Sequence, residues 1–222
     1  MIINCLLGYP EQDYGKDSKT MRNDPTIMAE TLESLIWTAC HSGASDAKAV
    51  LATNITVDDS LTNFCRDSGC ENYGLAMSCP PNVSGPSGFR ELLKNYRHGV
   101  VFKIDVLTET LLTPQTLEVF RSLHGIGAAI ERAAVKKGYD NSKAFAGGSC
   151  KPLFCQDHPD CLVLSENGTC RHPHIARPSM SGFGINVSLL IKAAGWHMNR
   201  ITCKTDPKEV EMGMLCGLVL IG

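Results

Sequence analysis

Seven of the eleven cysteines in this 222-residue chain are gathered into two short polar segments. The first reads Cys65-x4-Cys70-x8-Cys79 and runs straight into Pro80 and Pro81. The second reads Cys150-x4-Cys155-x5-Cys161-x8-Cys170 and is followed by Arg171, His172 and Pro173. Spacings this short let several sulfurs converge on one centre, because an irregular segment can turn all its side chains inward. Long stretches without secondary structure are uncommon in compact domains unless something orders them. The expectation is therefore a fold carrying two irregular cysteine-rich loops, at 64–86 and 148–182, each organised by a metal.

The compartment decides between metal and disulfide. The opening "MIINCLLGYPEQDYG" has no basic region ahead of a short apolar part, which argues against a signal peptide. The longest apolar run, "GMLCGLVLIG", is about half of the roughly 20 residues a membrane-crossing helix needs. A cytoplasmic location with no membrane span is expected. Cytosolic thiols are kept reduced, and an odd number of cysteines cannot all pair within one chain. Charge points away from nucleic acid: 21 basic residues are scattered among 23 acidic ones, for a net charge of −2. Aromatic residues make up only 6%, too few for a base-stacking platform.

The metal itself is chosen by pattern. Structural zinc uses paired C-x2-4-C knuckles supplying four ligands, and neither segment shows such a pair. Iron–sulfur clusters are held by thiolates in local runs, often closing on Cys-Pro, as Cys79-Pro80 does. The favoured reading is one or two [4Fe–4S] clusters, with zinc as the alternative. Cys65, Cys70 and Cys79 would hold one cluster, and Cys150, Cys155, Cys161 and Cys170 the other. The first set is one short of four, which leaves Cys40, Cys203, Cys5, a histidine, a partner or an open iron position for the last place.

Between the cysteines lie signals of regular structure. Asp24-Pro25 and Gly43 bound a helix with Met28, Leu32, Leu35, Ile36 and Ala39 on one face. "AKAVLATNITVD" reads as a strand and 88–97 as a short helix. "GVVFKIDVLT" is a buried strand. Thr113-Pro114 opens a long helix ending at Lys137. "KAFAGG" is extended, "GINVSLLIKAAGW" helical, and "MGMLCGLVLIG" a central strand carrying Cys216 into the core. The fold class expected is α/β or α+β, with helices packed on one face of a mixed sheet of about four strands, and residues 1–222 forming a single domain.

These motifs together resemble a known family. "C-x4-C-x2-YG-x4-CPP", Tyr96-x2-Gly99, "AGG-x-C" ending at Cys150, and "CRHPHIARPSMSGFGINV" are similar to a family of predicted metal-binding proteins of anaerobic bacteria and archaea, a domain of unknown function. The likeness spans roughly residues 26–222. It implies a metal and an anaerobic setting, and no particular reaction. The family's second cluster is tighter, near C-x2-C-x2-C-x5-C, and this chain widens every gap.

Arg171, His172, His174 and Arg177 gather beside the last cysteine. They read as a cationic shell raising a cluster's potential, or as an anion-binding set. The function expected on these grounds is electron transfer or redox chemistry, with a redox partner protein or a small-molecule substrate. The alternatives are a structural-zinc interaction module and an enzyme with an open iron site.

Overall fold

The computed structural model describes residues 24–222; Cys5 and the N-terminal segment discussed above lie outside the described residues. Helix α1 (Pro25–His41) starts where sequence places it. The Asp24 carboxylate accepts a hydrogen bond from the Thr26 amide at 2.8 Å, and Pro25 occupies the first helical position, where no amide is needed. Its buried face is Thr31, Leu32, Leu35 and Ala39. Strand β1 (Asp46–Leu51) follows, shorter than its alternating pattern suggests because Ala52–Asn54 curls into a 3-10 turn.

Strand β2 (His98–Leu107) and the final strand β4 (Met212–Ile221) form the centre of a four-stranded sheet of order β1-β2-β4-β3, with β3 being Lys143–Phe145. All three ladders are antiparallel. An isolated parallel bridge, Ala146 with Ser179, lies beyond the end of β3. The fold is thus α+β. Short helices α2 (Ser60–Asp67) and α3 (Gly85–Leu93) precede β2. Helix α4 (Thr108–Leu111) and the long α5 (Thr116–Lys136) follow it. After β3 come α6 (Cys150–Phe154), α7 (Leu162–Ser165), a 3-10 turn at Met180–Phe183, and α8 (Val187–Ala193).

The sheet is buried on both faces rather than one. Against one side pack Leu32, Leu35 and Ala39 of α1 with Leu123, Ile126 and Ile130 of α5, meeting Val100, Phe102 and Val219 of the sheet. Against the other side pack Phe89 of α3, Phe183, Ile185 and Leu190, meeting Val101, Leu218 and Leu220. That explains the unbroken apolar runs in β2 and β4: a strand covered on both faces has no solvent side to keep polar.

Two irregular metal-organised loops are not what the structure contains. Cys65 sits in the last turn of α2, and Cys150 opens α6 behind a Ser149 cap whose hydroxyl accepts from the Lys151 amide. The intervening chain is ordered by its own hydrogen bonds, described below. No metal is needed to explain its path.

One position in the central ladder tests how tightly the sheet is filled. Gly217 lies opposite Phe102, and any side chain there would run into the phenyl ring. Gly217→Ala is expected to destabilise by roughly 1–3 kcal/mol through overpacking. In a Phe102→Leu background the same change should cost clearly less. A urea-unfolding double-mutant cycle checks this; additive penalties would mean the two residues do not compete for space.

Candidate ligand cleft and cysteine arms

Two stretches of chain carry the cysteines, and a histidine fastens them to the body. His124 of α5 is fully buried. The Arg177 amide donates to its Nδ1 at 3.0 Å, so that nitrogen is the acceptor, and Nε2–H donates to the Gly147 carbonyl at 3.1 Å. Burial, with the nearby Arg177 charge adding to it, pushes the His124 pKa down to about 4. The neutral ring therefore ties the segment entering α6 to the segment that follows Cys170. Beside it, the Ala146 amide donates to the Pro178 carbonyl and the Met180 amide to the Ala146 carbonyl, both at 2.9 Å.

The first cysteine arm folds onto itself. The Gly74 amide donates to the Pro80 carbonyl at 2.8 Å, and the Asn82 side chain donates to the carbonyls of Gly74 and Ala76. Cys79 is buried and Cys70 exposed. Burial raises the Cys65 pKa against an opposing hydrogen bond with Ser181. The two arms touch through Ser78. Its hydroxyl donates to the Cys150 sulfur at 3.1 Å and lies 3.8 Å from the Cys79 sulfur, while its carbonyl accepts from the Ser179 amide.

The second arm is held by basic side chains bonded to carbonyls. Lys151 donates to the carbonyls of Cys155 and His158, Arg121 to that of Leu153, and Arg171 to that of Asp160. Cys150, Cys155, Cys161 and Cys170, with Phe154 and His172, line a narrow cavity of about 20 Å³, room for about one water. Burial pushes the Cys150 thiol up to about 11, so it is protonated at neutral pH.

This overturns the expectation of an iron–sulfur or zinc centre. Among the described residues no three His, Cys, Asp or Glu side chains are grouped so that they could hold a metal ion. The [4Fe–4S] and zinc assignments, and the electron-transfer and redox functions built on them, are corrected accordingly. No disulfide joins the described cysteines either. Spacing along the chain brings the thiols onto neighbouring arms, but serine bonding and helix geometry do not turn them to a common point. Cys216 is a plain core residue, its thiol pushed up to about 12 by burial. Cys40 is half-buried and Cys203 exposed.

The four basic residues of "RHPHIARP" part company. Arg171 and His174 are exposed and His172 half-buried with its ring 5.7 Å from that of Phe154, whereas Arg177 is buried. Arg177 forms an ion pair with Glu131 at 2.7 Å and donates to the carbonyls of Pro173 and Ala176. Its Nε is buried with no partner. Glu131 is used on both oxygens, the second accepting from the Ala144 amide at 2.5 Å. Arg177 lines a cleft of about 500 Å³ whose wall is apolar at Leu92, Phe145, Pro178 and Phe183 and polar at Ser84 and Lys143. Cysteine spacing gives no hint of this cleft. The one available signal is that His124 and Glu131 lie seven residues apart on α5, two polar side chains on its otherwise apolar face.

Fold and site together define an α+β protein with a doubly covered antiparallel sheet, a ligand-sized cleft and a small thiol-lined cavity within the second arm. The chain belongs to the DUF2284 family of predicted metal-binding proteins, whose profile matches residues 48–221. No curated protein and no solved structure matches it. The metal implied by the family's description does not fit the donors as arranged. Among the described residues no three of them are grouped so that they could hold an ion.

Two measurements follow from the buried groups. The folded His124 titrates below the unfolded value of 6.5. Its stabilising share is therefore present above about pH 6.5 and is lost as pH falls toward 4, amounting to about 3 kcal/mol. Urea unfolding across pH 7 to 4 should show that share vanish from the pH dependence in His124→Gln; parallel curves would contradict it. For the thiols, iodoacetamide labelling at pH 8 followed by mass spectrometry should mark exposed Cys70 far ahead of Cys150 and Cys216. The thiolate fraction at a pKa of about 11 is roughly 100-fold below that of an unperturbed thiol.

Proposed function

We propose that this chain is a small-molecule-binding protein whose ligand occupies the Arg177 cleft. The observation that carries the reading is a cleft of about 500 Å³ with a buried guanidinium on its wall. Small-molecule sites are concave, mostly apolar, largely preformed, and bear a few placed polar groups. Each part is present here. Leu92, Phe145, Pro178 and Phe183 supply apolar surface, and Arg177, Ser84 and Lys143 supply polar groups.

The polar wall of the cleft is fixed by the protein's own bonds. Glu131 fixes both the Arg177 side chain and the Ala144 amide, and His124 fixes the Arg177 backbone. A site whose polar groups are set in advance loses less conformational entropy on binding.

Amide-resolved NMR titration with a set of small fragments of mixed charge tests this reading. Binders should shift the amides of Ser84, Ala144 and Phe145 first. Ser84→Trp, at an exposed position on the rim, should abolish those shifts while leaving the fold intact. If no fragment of any charge moves these amides, the cleft is not a binding site.

A further inference from the structure

We infer that the ligand of this cleft is a monocarboxylate with an apolar body, a conclusion that rests on the cleft being the binding site. Charge comes first. Glu131 neutralises Arg177 across 2.7 Å, so the surplus charge at the site is the ammonium of Lys143, which is exposed and makes no ion pair with any described residue. One uncompensated cation calls for one anionic group. A dianion such as a phosphate monoester would bring a second negative charge up to Glu131 with nothing to balance it.

Hydrogen-bonding capacity narrows the choice further. Arg177 lines the cleft, and a guanidinium offers only donors. A polar ligand atom that meets the guanidinium is therefore an acceptor. The cleft has no equivalent demand for a donor: one Glu131 oxygen is taken by Arg177 and the other by the Ala144 amide. An amine or guanidine ligand would find its only carboxylate already occupied. Polarity thus selects an acceptor-rich anion over a cation.

The remaining wall decides the body of the ligand. Leu92, Phe145, Pro178 and Phe183 face the same space and offer surface that inorganic phosphate or sulfate would leave uncovered. An alkyl or aryl group attached to the carboxylate buries that surface, at about 25 cal/mol per Å² removed from water. The carboxylate lies toward Arg177 and Lys143, and the apolar body toward the two phenylalanines.

A matched series tests this: 3-phenylpropionate, its uncharged amide, 3-phenylpropylamine, and inorganic phosphate, each followed by NMR at the cleft amides. The carboxylate should bind at least about tenfold more tightly than the amide, about 1.4 kcal/mol, and the amine and phosphate should bind more weakly still. Lys143→Gln, an exposed change that spares the buried ion pair, should remove most of the carboxylate's advantage and leave the amide's affinity unchanged. If the amide or the amine matches the carboxylate, the ligand class is overturned while the cleft stands as a binding site. Phosphate equalling the carboxylate overturns the apolar body. If the cleft amides respond to no member of the series and to none of the mixed-charge fragments, both conclusions fall together.

Discussion

A single neutral imidazole holds the second cysteine arm and the Arg177 segment in register. His124 accepts from the Arg177 amide and donates to the Gly147 carbonyl, and no other side chain found in proteins offers one ring with an acceptor and a donor facing opposite ways. The helix that carries it is anchored in the core by Leu123, Ile126 and Ile130, so both irregular segments are referenced to a rigid body. From Gly147 the chain needs the positive φ of Gly148 to turn into the Ser149 cap of α6. From Arg177 it runs through Pro178 and Ser179, alongside Ala146. A protonated ring could make only one of the two bonds, so burial and the bonding pattern both require the neutral form.

The regular elements were legible wherever a local rule and a tertiary demand agreed. Asp24-Pro25 marks the start of α1 because capping and the missing proline amide both act within one turn. The runs at Val100–Phe102 and Leu218–Ile221 read as strands for their β-branched and apolar content, and they are strands. Whether one face or both would be covered was not legible. That depends on Phe183, Ile185 and Leu190, which lie beyond the second cysteine arm and reach the sheet only after the chain has doubled back. The shortening of β1 is likewise absent from any alternation pattern: the Ile55 amide closes a 3-10 turn on the Ala52 carbonyl.

The cysteines show how far sequence spacing can carry an argument. Cys150, Cys155, Cys161 and Cys170 do line one cavity, so proximity was readable. Convergence was not, because it is set by groups that spacing does not register. Ser78 from the other arm bonds the Cys150 sulfur; Lys151 and Arg171 spend their charge on backbone carbonyls rather than on sulfur. The premise that loops of this length need an outside organiser also failed for a physical reason. Asn82 and the Gly74–Pro80 bond close the first arm internally, and two short helices interrupt the second. Membership of a family of predicted metal-binding proteins does not change that local geometry.

Arg177 is the residue on which the two halves of the reading diverge. Beside Cys170 in sequence, it looked like part of a cationic shell around a cluster; in the fold it is the buried wall of a cleft. Retaining it there is not explained by stability. A buried Arg–carboxylate pair is often no more stabilising than well-packed apolar residues of similar size, because desolvating two charges offsets most of their attraction. With Leu92, Phe145 and Phe183 already around it, an apolar side chain at 177 would satisfy the core. What an apolar side chain would not supply is a cation on the wall of a ligand-sized cleft. The ion pair with Glu131 fixes the guanidinium, and the His124 bond fixes its backbone. A buried ion pair that adds little to stability is accounted for by the proposed recognition role more readily than by folding.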